Sequence, residues 1–229
     1  MLKKITTKCS IVLLALQTHC FGAFYSQCGQ DAFVYENYFK NYTNGVFVDI
    51  GAHSGVVISN SYFFEKELNW SGICIEPIPE LFRELKMNRN CICVEGCISD
   101  AIGTKQFVRF PEGVDWFSGL KDKFEPGRLE VLYAHGLTSY EVIDVNCYLL
   151  NDILAENKIS HINFLSIDTE GGELDILKTI DFSKFTIDVI AVEDNYNDIN
   201  LSNFLVGKGF RLTKRLDQDL IFVRRGFIP

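Results

Sequence analysis

No stretch of this sequence is rich in lysine and arginine: 22 basic residues stand against 30 acidic ones, for a net charge of −8. A protein that grips nucleic acid needs a basic stripe or groove to neutralise phosphates. Its lack excludes that partner class and leaves small molecules, sugars or proteins. Metal-type cysteine pairs are missing too. Cys91, Cys93 and Cys97 cluster in "CICVEGCIS" without a C-x-x-C spacing, so they read as small hydrophobes on a strand rather than zinc ligands. The eight cysteines do not settle the redox compartment. There is no G-x-G-x-x-G, which sets aside the nicotinamide fingerprint. From Tyr25 onward there is no repeat and no low-complexity segment.

A long apolar run is also lacking. Residues 1–24 begin with basic "MLKK", continue through apolar "IVLLAL" and end near small "CFGA". That order is a secretory signal's, while the apolar part is short for a membrane span. The leader leaves two locations open, cytoplasmic or exported, and any membrane contact is expected only through an uncleaved leader.

What is present is a globular composition, 47% hydrophobic and 23% charged, on a chain that suits one domain over residues 25–229. Short, wholly apolar runs ("GVFVDI", "SGICIEP", "CICVEGCIS", "INFLSIDT", "IDVIAVED") alternate with helix candidates ("VVISNSYFFEKEL", "PIPELFRELKMN", "GGELDILKTI", "NLSNFLVGK"). An earlier stretch, "QDAFVYENYFK", is also helical in pattern. The alternation predicts an α/β fold with a mostly parallel central sheet and helices on both faces. "FRLTKRLDQDLIFVRR" predicts a C-terminal antiparallel hairpin turning at Asp217 and Gln218. The segment from Pro111 to Tyr140 has scattered glycines and aromatics with little periodicity. It is the natural lid, with Trp116, Phe117 and His135 inside it.

Asp49, Glu76, Asp168 and Glu193 each close an apolar run at its C-terminal end. Ligands of open parallel sheets bind outside those ends, where strand order reverses. Gly51 and Gly55 follow Asp49 in "GAHSG", suiting a tight turn that approaches a ligand closely. His53 sits in the same turn, although holding a sulfonium does not require an imidazole. A carboxylate ahead of the first glycine suits an ammonium group, and Glu76 is placed for two ribose hydroxyls. Ammonium and ribose without phosphate point to S-adenosyl-L-methionine. Asp168, Glu170 and Glu193 leave several readings open: a divalent metal site (Asp168 and Glu193 above all), a general base, or, with Glu173, acids at a helix start.

The blocks "YSQCGQDAFVYENYF", "VFVDIGAHSGVVISNS", "WSGICIEPIPELFREL", "CISDAIGTKQF" and "NFLSIDTEGGELDILK" resemble, in order, those of the FkbM-type methyltransferases over about Tyr25 to Phe222. The resemblance implies a Rossmann-like class I methyltransferase fold and O-methylation of a hydroxyl on a sugar, glycan or small metabolite. By the same resemblance Asp49, Gly51 and Gly55 fall at the methionine end of the cofactor. Glu76 falls at the ribose, Ser99 and Asp100 near the adenine, and Asp168 and Glu170 beside the transfer site. Cys147 stands where relatives commonly carry threonine, a position that looks structural. Two rivals remain: an exported binding protein that keeps the fold without catalysis, and a nucleotide-dependent oxidoreductase.

Overall fold

The computed structural model describes residues 24–124, 127–134, 136–137 and 139–228 of the chain. The leader up to residue 23 and His135 of the lid lie outside the described residues. Among the described residues no helix is long and apolar enough to cross a membrane.

The elements run in the expected alternation. Helix α1 (Gln30–Val34) continues as a π-helical turn (Tyr35–Phe39) and is followed by β1 (Val46–Ile50), α2 (Tyr62–Leu68), β2 (Ser71–Glu76), α3 (Pro79–Asn88) and β3 (Ile92–Glu95). Next come β4 (Cys97–Ile98), β5 (Gly103–Arg109), a 3₁₀ turn (Asp115–Phe117), β6 (Gly119–Leu120), α4 (Arg128–Ala134) and β7 (Glu141–Tyr148). The chain ends with α5 (Leu150–Glu156), β8 (His161–Ile167), α6 (Glu173–Thr179), β9 (Thr186–Glu193), α7 (Ile199–Gly207), β10 (Phe210–Leu216) and β11 (Asp219–Arg224).

The seven-stranded sheet has the order β10-β11-β9-β8-β1-β2-β3. Strands β3, β2, β1, β8 and β9 are parallel, and β11 runs antiparallel beside β9 with β10 as its hairpin partner. This is the α/β architecture anticipated from the sequence, including the C-terminal hairpin. Alternation along the strands feeds two cores, as the period of two requires. Val48, Ile50, Ile73 and Ile75 face Leu154, Leu177 and Leu205 of α5, α6 and α7. Phe47, Cys74 and Phe164 face Val34, Phe64 and Leu85 of α1, α2 and α3.

Three expectations change. The helix proposed over "VVISNSYFFEKEL" begins only at Tyr62. Ile58 takes a positive φ of 54°, and Ser59 accepts from the Ser61 and Tyr62 N–H groups instead of joining a helix. The run "CICVEGCIS" is not one strand: Gly96 (φ 144°) breaks it, and Cys97–Ile98 passes into a second sheet, of order β4-β7-β5-β6. This four-stranded sheet was not anticipated. It packs Phe107, Val145 and Cys147 on Ile78 and Leu81 at the start of α3.

The chain turns away from β1 at Gly51 (φ +85°), where an added Cβ would sit 1.8 Å from the Asp168 carbonyl oxygen. Gly51→Ala is therefore expected to cost roughly 2–4 kcal/mol, combining left-handed strain with overpacking. Gly207, with nothing within 4 Å of a built Cβ, should accept alanine within about 1 kcal/mol of wild type. Thermal melts of the two variants side by side check the contrast.

Candidate active site

Strand order reverses between β1 and β8, because the chain runs outward through β2 and β3 before returning to β8 and β9. Outside the C-terminal ends of these strands lies an open cleft that reaches from the turn after β1 to the loop after β8, the place where ligands of such sheets bind. Asp49, Gly51, His53, Glu76, Ser99, Asp100, Asp168 and Glu170 all line it. Glu193 sits just behind, one of its carboxylate oxygens within 4.8 Å of one from each of Asp168 and Glu170. Gly55 is the exception. Its α-carbon faces Leu85 and the Arg89 stem, where a Cβ would come within 2.5 Å, so packing against α3 explains that glycine and ligand approach does not.

Glu76 is buried and held by backbone. Its Oε2 accepts from the His53 N–H at 2.9 Å and its Oε1 from the Ile78 N–H at 2.8 Å. Each oxygen keeps further acceptor capacity, so the carboxylate is pre-oriented to accept two more donors. Burial, reinforced by Asp115 and Asp49, pushes its pKa up to about 7 despite those N–H bonds. His53 serves through its backbone: it takes a positive φ of 52°, and its ring Nε2 lies 3.5 Å from Asp115 Oδ2 without a hydrogen bond.

Asp49 lines the cleft, yet its carboxylate is already engaged. Ser61 Oγ donates to Asp49 Oδ2 at 2.5 Å. Arg89, buried beneath, donates to Ser61 Oγ, to the Gly55 carbonyl and to Glu65 at 2.6 Å. Burial raises the Asp49 pKa, opposed by the Ser61 hydroxyl and the Arg89 charge. Nothing in "MNRNC" marks Arg89 as a core cation, and sequence reasoning missed it.

Asp100 lies on the opposite wall. Lys123 and Lys105 donate to it at 2.7 and 3.0 Å and hold its carboxyl well below the usual carboxylate range. Lys123 also donates to Asp175 at 2.7 Å, and its carbonyl would lie 2.6 Å from a Cβ at Gly171. The segment sequence reading assigned to a lid is thus a roof seated on the loop after β8. Of the adjacent pair Trp116 and Phe117, Trp116 lines the cleft and is half-exposed, while Phe117 packs with Val108, Phe110 and Leu132.

Beneath the roof sit the remaining acids. Arg128 and Asn195 both donate to Glu170 Oε2, at 2.6 and 3.1 Å. Burial raises Glu170 to about 7 against the pull of Arg128. Burial, then repulsion from Glu170, raises Asp168 well above its ordinary value. Glu173 accepts from the Thr169 hydroxyl and the Gly171 N–H, the helix-start role foreseen for it.

With the geometry in hand, comparison with known proteins is decisive on one point. The model of the family described as "Methyltransferase FkbM domain" matches residues 49–217. The chain belongs to the FkbM methyltransferase family. No curated protein matches it. Among solved structures it is similar to the FkbM methyltransferase of Methylobacillus flagellatus, at 12% identity and TM-score 0.47, over 82% of this chain and 46% of that one. TrmK of M. capricolum, solved with S-adenosylhomocysteine, shows 10% identity and TM-score 0.43 over 89% and 71% of the two chains. The N-terminal domain of human METTL16 shows 13% identity and TM-score 0.45 over 87% and 67%. This chain therefore spans less than half the length of the FkbM structure it resembles.

Arg89→Met in this FkbM-family chain removes the charge that Glu65 faces and the donor behind Ser61. Breaking one side of a buried ion pair costs about 3–5 kcal/mol. A fall of that size in denaturant-derived stability is expected, with Asp49 left more weakly held.

Proposed function

We propose that this chain is an S-adenosylmethionine-dependent methyltransferase that methylates a hydroxyl of a sugar, glycan or other small metabolite. The observation that carries the cofactor reading is Glu76: a buried carboxylate at the end of β2, oriented by two backbone N–H groups, facing the switch-point cleft with acceptor capacity left on each oxygen. Family membership supports methyl transfer over the oxidoreductase rival. The non-catalytic rival loses ground because the acid groups beyond the cofactor end are retained and buried.

The residues fit the cofactor. Glu76 would take the ribose hydroxyls, Ser99 and Asp100 would flank the base, and the Gly51–His53 turn with Asp49 would border the methionine end. Bound there, S-adenosylmethionine supplies an electrophilic methyl group. The chain's own task is then to hold an acceptor hydroxyl in line and to take its proton. Asp168 stands at the end of β8 in the same cleft. Its raised pKa makes it a better proton acceptor than an ordinary aspartate whenever it is ionised. The acidic surface, with a net charge of −8, supports a non-nucleic-acid acceptor.

Thermal shift tests the cofactor reading. S-adenosylhomocysteine should stabilise the protein and NAD should not, by about 2.7 kcal/mol at 100 Kd; equal shifts with NAD, or none with either, overturn it. Glu76 sets the pH dependence. Its pKa near 7 means the ionised acceptor is scarce at pH 6 and dominant at pH 8. Affinity for S-adenosylhomocysteine should therefore rise about tenfold between those values, one pKa unit corresponding to tenfold, and Glu76→Gln should be weaker and flat with pH. Asp168→Asn keeps the shape and removes the charge. Turnover on an identified acceptor should drop at least about 100-fold with cofactor affinity little changed, and near-normal turnover overturns the assignment.

A further inference from the structure

The carboxylates behind the transfer end of the cleft are unevenly matched by positive charge. Asp168, Glu170 and Glu193 each place an oxygen within 4.8 Å of the others. Glu173 and Asp219 stand close enough to repel Asp168. Both have neutral partners: Glu173 takes the Thr169 hydroxyl and the Gly171 N–H, and Asp219 accepts from Gln30 Nε2 at 2.7 Å. Arg128 is the cation paired with the trio, and it meets Glu170. Glu193 is 7% exposed, and among the described residues no donor reaches its buried Oε2, while its carboxyl lies within hydrogen-bonding reach of the Asp168 carboxyl. A buried acceptor without a partner costs about 1–3 kcal/mol, more where it is charged. Folding tolerates that in a native structure when a ligand completes the group.

We propose that Asp168, Glu170 and Glu193 form a binding site for one hard divalent cation at the inner edge of the cleft. Oxygen-only carboxylate donors, whose protons a cation would displace on binding, select the calcium, magnesium and manganese class over softer metals. The spacing agrees. One oxygen from each carboxylate lies within 4.8 Å of the others, near enough for the three to converge on one cation at the roughly 2.3–2.6 Å of calcium–oxygen contacts. Arg128 and Asn195 share one oxygen of Glu170, which leaves the carboxylate its second oxygen for the metal. The divalent charge offsets the two carboxylates that Arg128 does not balance. The ends of β8 and β9, adjacent parallel strands, fix Asp168 and Glu193, so the site is built on the sheet and not on the roof.

The site itself stands on carboxylate geometry, while its use rests on the methyltransferase reading above. There the cation would bind the acceptor oxygen, lower the pKa of its hydroxyl and orient it toward the methyl group. The proton leaves to Asp168 or to solvent as the new carbon–oxygen bond forms and the carbon–sulfur bond breaks.

Manganese is the probe. Electron paramagnetic resonance of free Mn²⁺, titrated into the full chain at pH 7.5, should show one ion bound per chain and displaced by Ca²⁺. Glu193→Gln and Glu170→Gln should each weaken it at least about tenfold. No bound ion in the wild type, or binding unchanged in both variants, overturns the site. Anomalous scattering from crystals grown with Mn²⁺ locates the ion without any substitution: a peak among the three carboxylates supports the proposal, and a peak elsewhere refutes it. Titration with S-adenosylhomocysteine in the same samples separates the two readings. Cofactor binding without Mn²⁺ binding removes the cation site alone; Mn²⁺ binding without cofactor binding removes the methyltransferase reading and leaves the cation site standing.

Discussion

Two strand ends meet where the chain leaves β1. Asp168 donates its N–H to the Ile50 carbonyl at 3.0 Å, and its own carbonyl oxygen occupies the space a side chain at Gly51 would need. That contact locks the exit of β1 to the exit of β8 at the point where strand order reverses. It follows that the glycine turn, which leads to His53 and so orients Glu76, and the acid loop, which carries Asp168 and Glu170, cannot move independently. The Glu76 side and the Asp168 side of the cleft are thus held in register through backbone contacts. This is the kind of rigid support that in-line group transfer requires, because misplacement by an ångström can cost orders of magnitude in rate.

From that fixed point the acids divide into two environments. Asp49 and Glu76 are buried and held by neutral donors, a hydroxyl on the first and backbone N–H groups on the second, with Arg89 behind Ser61. They are structural as much as ligand-directed: a pre-oriented carboxylate loses little entropy when a ligand arrives. Asp168, Glu170 and Glu193 stand closer together and repel one another more, and burial raises all three pKa values. A fold tolerates such an arrangement where chemistry is done and rarely elsewhere.

The legible parts of this protein are those set by local pattern. Apolar runs ending in Asp49, Glu76, Asp168 and Glu193 gave both the parallel sheet and the side of it that carries the site, because burial on both faces leaves a continuous hydrophobic signature. The hairpin at Asp217 and Gln218 was legible as two strand-like runs joined at a short turn. The second sheet was not. Strands β5 and β7 are half-exposed over most of their length, and their pairing spans residues far apart in sequence, so no window of a few residues carries it. Arg89 was missed because its five-way contact with Glu65, Gly55, Ser59, Ser61 and the Phe47 ring exists only after α3 docks. The early start given to α2 failed where the Ser59 hydroxyl takes the Ser61 and Tyr62 N–H groups, a local bonding that competes with a helix.

The roof follows a different economy from the floor. Lys123 bridges Asp100 and Asp175 from partly exposed positions, and pairs of that kind contribute at most about 1 kcal/mol and weaken with salt. Arg128 with Glu170 is the deeper tie, both side chains being largely buried. The floor of the cleft is thus fixed by strand hydrogen bonds and packed cores, and its cover by a few charge contacts. One of those contacts ends on Glu170, an acid that lines the cleft. Anything that engages the second oxygen of Glu170 shares that carboxylate with Arg128, and so couples the cleft to its cover.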